Sequence, residues 1–199
     1  MKKYLFNLLL LTSIQIWSQD TIRNQYQKEN FESAKNTLEN GDYIVAIREF
    51  SLVYNMNAKS EIAQIAIKKA DSLKSIFRKN KVNSLIGNWK WISKDGNWAI
   101  REDGLVGKMI TFNTDEILFF EMYRNSKKWE LVKTEKIKFS ENPESYSFTE
   151  FLYANKEIWD YNIDENSGEL KAYYIGDKTE EGFSEMVCGN PVLYYFKLQ

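Results

Sequence analysis

No histidine occurs anywhere in the 199 residues. That absence removes the Ser-His-Asp and Cys-His nucleophile systems, which both need an imidazole as general base. Zinc sites that use histidine go with them. Cysteine is nearly absent too: Cys188 stands alone, so there is neither an internal disulfide nor a thiolate cluster. An unpaired cysteine is among the most buried residue types, so Cys188 is expected in an apolar interior, with pairing between chains as the alternative. No apolar run approaches the roughly 20 residues that a bilayer-spanning helix needs.

The longest apolar run stands at the start. Lys2 and Lys3 lead into Leu5-Phe6 and Leu8 to Leu11, and the run ends in the small and polar stretch Ser13 to Gln19. A charged segment, a short apolar segment and a cleavage region make a signal peptide over residues 1–18, cut after Ser18. Cys188 is too far away to be lipidated there. The mature chain is expected to be exported, periplasmic or secreted. Removing the leader takes two lysines from 27 basic residues and nothing from 28 acidic ones, leaving a net charge of minus 3. Neither the basic footprint of a nucleic-acid binder nor a polybasic membrane anchor is present.

Glycine, proline and tryptophan divide the chain in two. Residues 20–81 hold one glycine, Gly41, and no proline or tryptophan, whereas 82–199 hold eight glycines, both prolines and five tryptophans. A helical module over 19–81 followed by a sheet domain over 82–199 is the expected organisation, an α+β fold. Phe31, Ala34 and Leu38 recur at helical spacing until Asn40-Gly41 stops them. Tyr43, Ala46, Ile47, Phe50, Val53 and Tyr54 form a second apolar stripe. Ile62, Ile65, Ala66, Ala70, Leu73, Ile76 and Phe77 form a third, opposed by Lys68, Asp71, Lys74 and Arg78. Short turns between them predict antiparallel neighbours.

The stretch Gly41-Asp42-Tyr43, then Ala46-Ile47 and Phe50, with Ala34 on the preceding helix, resembles the turn and second helix of a tetratricopeptide repeat. It covers one repeat of 34 positions, up to Tyr54, and one repeat cannot bury its own face. A helical hairpin plus a third helix is the reading it implies, with a plain bundle the alternative. As a hairpin, Tyr43, Phe50 and Tyr54 would form a surface for docking a partner protein.

The second half alternates short strand-like segments with turn residues, at Leu85–Ile92, Lys108–Asn113, Glu116–Arg124, Lys128–Phe139, Tyr146–Tyr153, Glu157–Ile163, Glu169–Ile175 and Val192–Leu198. Eight strands at this spacing predict an antiparallel barrel or sandwich. In the last, Val192, Tyr194, Phe196 and Leu198 are expected on the buried face, with Lys197 and Gln199 on the wet one.

Gly87-Asn88-Trp89 at the head of the first strand resembles the opening of lipocalin-like barrels. In that family the glycine permits a sharp approach of the chain, and the indole closes the narrow end. The resemblance runs from Leu85 to Gln199 and implies an interior just wide enough for a small apolar or amphipathic ligand. Two positions depart from the pattern: there is no Thr-Asp-Tyr turn between the later strands, and no arginine near the final strand to stack on Trp89. Trp91, Trp129, Trp159, Tyr161 and Tyr194 are the candidate ligand-lining residues, with packed core as their other reading.

Asp160, Asn162, Asp164 and Asn166 alternate like a calcium loop, but Glu165 replaces the glycine and Lys171 the bidentate glutamate that such a loop requires. They read as the wet face of a hairpin, and no metal or other cofactor is expected. Lys133 and Glu135 share the register of Trp129, Leu131, Ile137 and Phe139. Either a bulge flips the register between the two charges, which is the preferred reading, or they form a pair inside the barrel. Glu121, Glu130, Glu150 and Asp160 keep a carboxylate-dependent hydrolase in view, although no spacing shows two of them converging. The function expected is non-catalytic binding of a small ligand in the barrel, with the helical docking module as the rival.

Overall fold

The structure is a computed structural model describing residues 22–92, 104–142, 145, 147–186 and 189–199. The expected signal peptide, Tyr146 and Cys188 lie outside the described residues. No helix among the described residues is long and apolar enough to cross a membrane. The chain divides into two compact units, Met1–Ile76 and Phe77–Gln199.

The first unit begins with α1, residues 22–39, continues with α2, Tyr43–Met56, and takes most of α3, Glu61–Leu85. Gly41 makes the turn between α1 and α2 with φ +86°, a conformation that glycine adopts without a Cβ penalty. Residues ascending α1 meet residues descending α2, so the two are antiparallel: Arg23 donates to the Met56 carbonyl, Gln27 to the Val53 carbonyl at 2.8 Å, and the Phe31 ring meets Phe50 at 5.7 Å. Gln27 is fully buried yet satisfied, because its carbonyl also accepts from the Ser60 hydroxyl.

Ala34, Ala46, Ile47, Phe50 and Val53 fill this unit's core. On α3 the buried stripe is Ala63, Ala66 and Ala70 rather than the larger residues of the expected face; Ile65 and Ile76 are exposed. Phe50, expected on a docking surface, has no exposed surface at all. Its ring is the filler between α1 and α2, as a large apolar residue of the stripe should be.

The second unit holds the end of α3 and, among the described residues, a nine-stranded antiparallel sheet. Its strands are β1 Gly87–Ile92, β2 Leu105–Phe112, β3 Glu116–Tyr123, β4 Trp129–Lys136, β5 Phe151–Leu152, β6 Glu157–Ile163, β7 Leu170–Lys178, β8 Phe183–Glu185 and β9 Val192–Lys197. The ladder runs β4-β3-β2-β1-β9-β7-β6-β5, with β8 attached to β7. The α+β class therefore holds, but β4 and β5 remain edges and the sheet is not closed into a barrel. Beyond the end of β4 one bridge, Phe139 to Phe151, joins those edges, flanked by Leu152 N–H to Lys138 O at 2.8 Å and Ser140 N–H to Glu150 O at 2.7 Å.

Three details differ from expectation. The helix continues to Leu85 where a strand was expected, because Arg78, Val82 and Leu85 keep helical spacing and Val82 and Leu85 belong to the core beneath the sheet. The strand expected over 146–153 is only Phe151–Leu152, and β8 had no visible alternation to betray it. In β9 the faces are reversed. Tyr195 is buried and Leu193 packs on the core, whereas Phe196 is 41% exposed.

Candidate ligand-binding site

Taking the inner face as the one that carries Trp89, Ile110, Phe112, Tyr161, Leu170 and Tyr195, the register places every candidate residue. At one end Trp89 is 1% exposed, and its indole N–H donates to the Leu85 carbonyl at 2.7 Å. This hydrogen bond satisfies one of the carbonyls that the last turn of α3 leaves without a helical partner. Lys197 is the cross-strand partner of Trp89 and holds its ammonium 5.3 Å from the ring centroid. So a cation of the final strand does cover the tryptophan; it is a lysine, not an arginine. Gly87 has φ +127°, and a Cβ there would stand 3.0 Å from Lys197 Cε. The backbone requires glycine there, and a Cβ would push the flexible Lys197 stem aside.

Farther along the inner face is a partly open cavity of about 220 Å³. Its apolar wall is made by Ile110, Phe119, Tyr153, Trp159, Tyr161, Leu193 and Tyr195. Tyr153 stacks on Trp159 at 6.4 Å, and the Tyr153 and Tyr161 hydroxyls hydrogen-bond to each other at the buried side. Polar groups also reach it: Lys108, Glu121, Lys133 and Glu157. Lys108 pairs with Glu121 at 3.7 Å, and Glu157 accepts from the Trp159 indole N–H at 3.0 Å.

Lys133 and Glu135 resolve the choice the sequence left open, against the preferred reading. A bulge exists, but one step earlier, where Phe119 pairs with Lys133 and Phe120 with Leu131, leaving Val132 as the extra residue. The bulge turns Trp129 and Leu131 outward and keeps both charges inward. Glu135 is 4% exposed, accepts from Lys133 at 2.9 Å and from the Ala154 backbone N–H at 2.9 Å, and so has its charge compensated.

Of the five expected lining residues, Trp159 and Tyr161 line the cavity. Trp91 is on the inner face, half-buried against the core, but does not line the cavity. Trp129 is on the outer face, where Gly107 leaves room for its ring; a Cβ at Gly107 would meet Trp129 Cη2 at 3.0 Å. Tyr194 is also outside, opposite Lys171. Missing from the expectation were Phe119, Tyr153 and Tyr195. The alternation of Ile110 with Phe112 across from Phe119 could have found the first, but Tyr195 needed the correct facing of β9.

The carboxylates considered for acid-base work are dispersed. Glu121 lines the cavity, and Glu130 is exposed. Glu150 is held in a separate nest by the Ser145 and Ser147 hydroxyls, and Asp160 pairs with Lys81 at 3.3 Å. Asp164 caps its hairpin through the Asn166 and Ser167 N–H groups, and with Lys171 bonded at 2.6 Å its carboxyl is held well below the usual range. No family model, curated protein or solved structure matches this chain.

Burial pushes the Tyr153, Tyr161 and Tyr195 phenols well above their ordinary value. In the unfolded chain they titrate near 10. Above that pH the unfolded form has lost protons that the folded form retains, so their stabilisation is complete below about pH 10 and falls as pH rises. Denaturation midpoints measured across the alkaline range should decline from about pH 10 upward, with these phenolates appearing only as the fold is lost. A midpoint that stays flat while all tyrosines ionise would show these phenols to be accessible.

Proposed function

We propose that this is an exported, non-catalytic binding protein, whose sheet unit is an incompletely closed, lipocalin-like barrel holding a small amphipathic molecule. The carrying observation is the cavity: about 220 Å³, walled by Trp159, Tyr153, Phe119 and Tyr195, with a few charged groups converging on it. Ligand sites are mostly apolar hollows with a small number of placed polar groups. Its volume falls below the roughly 300 Å³ at which drug-sized sites begin, so the occupant is a single ring or short chain.

The barrel reading is supported by β1 lying between β2 and β9, by the bridge between the edge segments, and by Gly87, Trp89 and Lys197 at the narrow end. For the first unit we propose a tetratricopeptide-like hairpin, supported by the buried small residue Ala34 and the Gly41 turn. Tyr43 is 48% exposed and Tyr54 partly so, but with Phe50 buried the docking surface first expected there loses its centre.

Titration of the intact protein with small aromatic amphiphiles should change tryptophan emission saturably, and Trp159→Ala should weaken the change. No saturable response from any small probe would sink the ligand reading and leave the helical unit as the functional part. Export is tested separately: N-terminal sequencing of the mature protein should begin near Gln19, and retention of Met1 would oppose it.

A further inference from the structure

We infer that the molecule held in this cavity is an organic cation, an amine attached to an aromatic or short apolar body. This rests on the ligand-holding reading above and adds the charge of the ligand. Both lysines at the cavity already have carboxylates of their own: Lys133 has Glu135 at 2.9 Å, and Lys108 has Glu121 at 3.7 Å. An anionic ligand would have to share one of these ammoniums with its carboxylate, and drawing on Lys133 would weaken the counter-charge of the buried Glu135.

Glu157 is different. Among the described residues its carboxylate accepts only from the neutral Trp159 indole, and no lysine or arginine among them pairs with it. Directly opposite it in the β6–β7 register stands Asp177, bonded by the neutral Tyr174 hydroxyl at 2.6 Å. The Tyr174 ring meets Trp159 edge-on at 5.6 Å. Among the described residues neither carboxylate is in an ion pair, and the two flank an aromatic wall. The same wall already accommodates an ammonium: Lys133 Nζ lies 4.6 Å from the Tyr153 centroid and 5.5 Å from Phe119. Aromatic faces attract cations, and a carboxylate beside them adds a charge-assisted hydrogen bond to an N–H.

The test compares phenethylamine, phenethyl alcohol and hydrocinnamate, which share one ring and differ in the head group, by calorimetry on the intact protein. Phenethylamine should bind at least about tenfold more tightly than the alcohol, and hydrocinnamate most weakly. Glu157→Gln keeps an oxygen for the indole N–H but removes the charge. It should cut amine affinity about tenfold and leave alcohol affinity unchanged, with the melt of each variant checking its fold. Tighter binding of alcohol or hydrocinnamate than of amine would overturn the charge assignment while sparing the cavity. Binding of none of the three would overturn both.

Discussion

Trp89→Ala should lower the stability of the sheet unit by about 3 to 5 kcal/mol, the range for removing a fully buried large aromatic side chain. Trp89 is 1% exposed and packs among Val82, Leu85, Phe112 and Tyr195 in one contiguous core. Its removal leaves a hollow that the flanking backbone cannot collapse into, because β1 is held on both sides by β2 and β9. It also strips the Leu85 carbonyl of the indole donor at 2.7 Å, and it leaves Lys197 without the ring beneath its ammonium. In a unit of this size the melting temperature should fall on the order of 10 to 20 °C. Trp89→Phe separates the contributions: it refills much of the volume without the N–H, and should recover more than half of the loss. An unchanged melt for Trp89→Ala would remove the basis for the lipocalin comparison.

How much of this was legible depended on whether a local pattern had a unique answer. The helix stop at Asn40-Gly41 and the hairpin read from Asp160, Asn162, Asp164 and Asn166 follow from local backbone chemistry, and both stand where the residues put them. Strand facing is less secure, because a shift of one position moves every side chain to the other face. Lys197 looks like a solvent marker, so taking it as the wet side turned β9 around and placed Tyr194 inside. In the structure its aliphatic stem crosses Gly87 and its charge ends on Trp89, which no property of β9 alone reveals. In β4 the alternation of Trp129, Leu131, Lys133 and Glu135 is regular in sequence, and the extra residue Val132 has no local sign. The bulge is set by the partner strand. The cavity was half legible for the same reason: in the ladder that carries Trp159 and Tyr161 the extra residue, Ile175, falls on the partner strand β7 and leaves their facing intact, whereas the bulge after Trp129 lies in β4 itself.

Arg78 is where the second large effect is expected, although its sequence position placed it on the wet side of α3. Its side chain is mostly buried and reaches three acceptors: Nε donates to the Phe148 carbonyl at 3.0 Å, one terminal nitrogen to the Ser140 carbonyl at 2.9 Å, and the other to Glu141 at 2.8 Å. The guanidinium also lies 5.1 Å from the Phe139 ring centroid. The Glu141 carboxylate is well exposed, so that ion pair contributes little. The two carbonyls belong to the buried residues Ser140 and Phe148, and Phe148 has φ +58°, a left-handed backbone that needs support. A hydrogen bond to a charged donor contributes about 1.5 to 3 kcal/mol, and neighbouring bonds are not additive. Arg78→Ala should therefore cost the sheet unit about 2 to 4 kcal/mol. Arg78→Lys should restore little, since one ammonium on a narrower stem cannot serve two carbonyls and cover a ring. The consequence reaches the sheet edges, because Phe139 and Ser140 are the residues that bridge the segment after β4 to β5. In Arg78→Ala the Ser140 and Leu152 amides, bonded to Glu150 and Lys138, should exchange with solvent faster than amides in the β1–β2 ladder. Equal protection across both regions, together with an unchanged melt, would show that the edges hold together without the arginine.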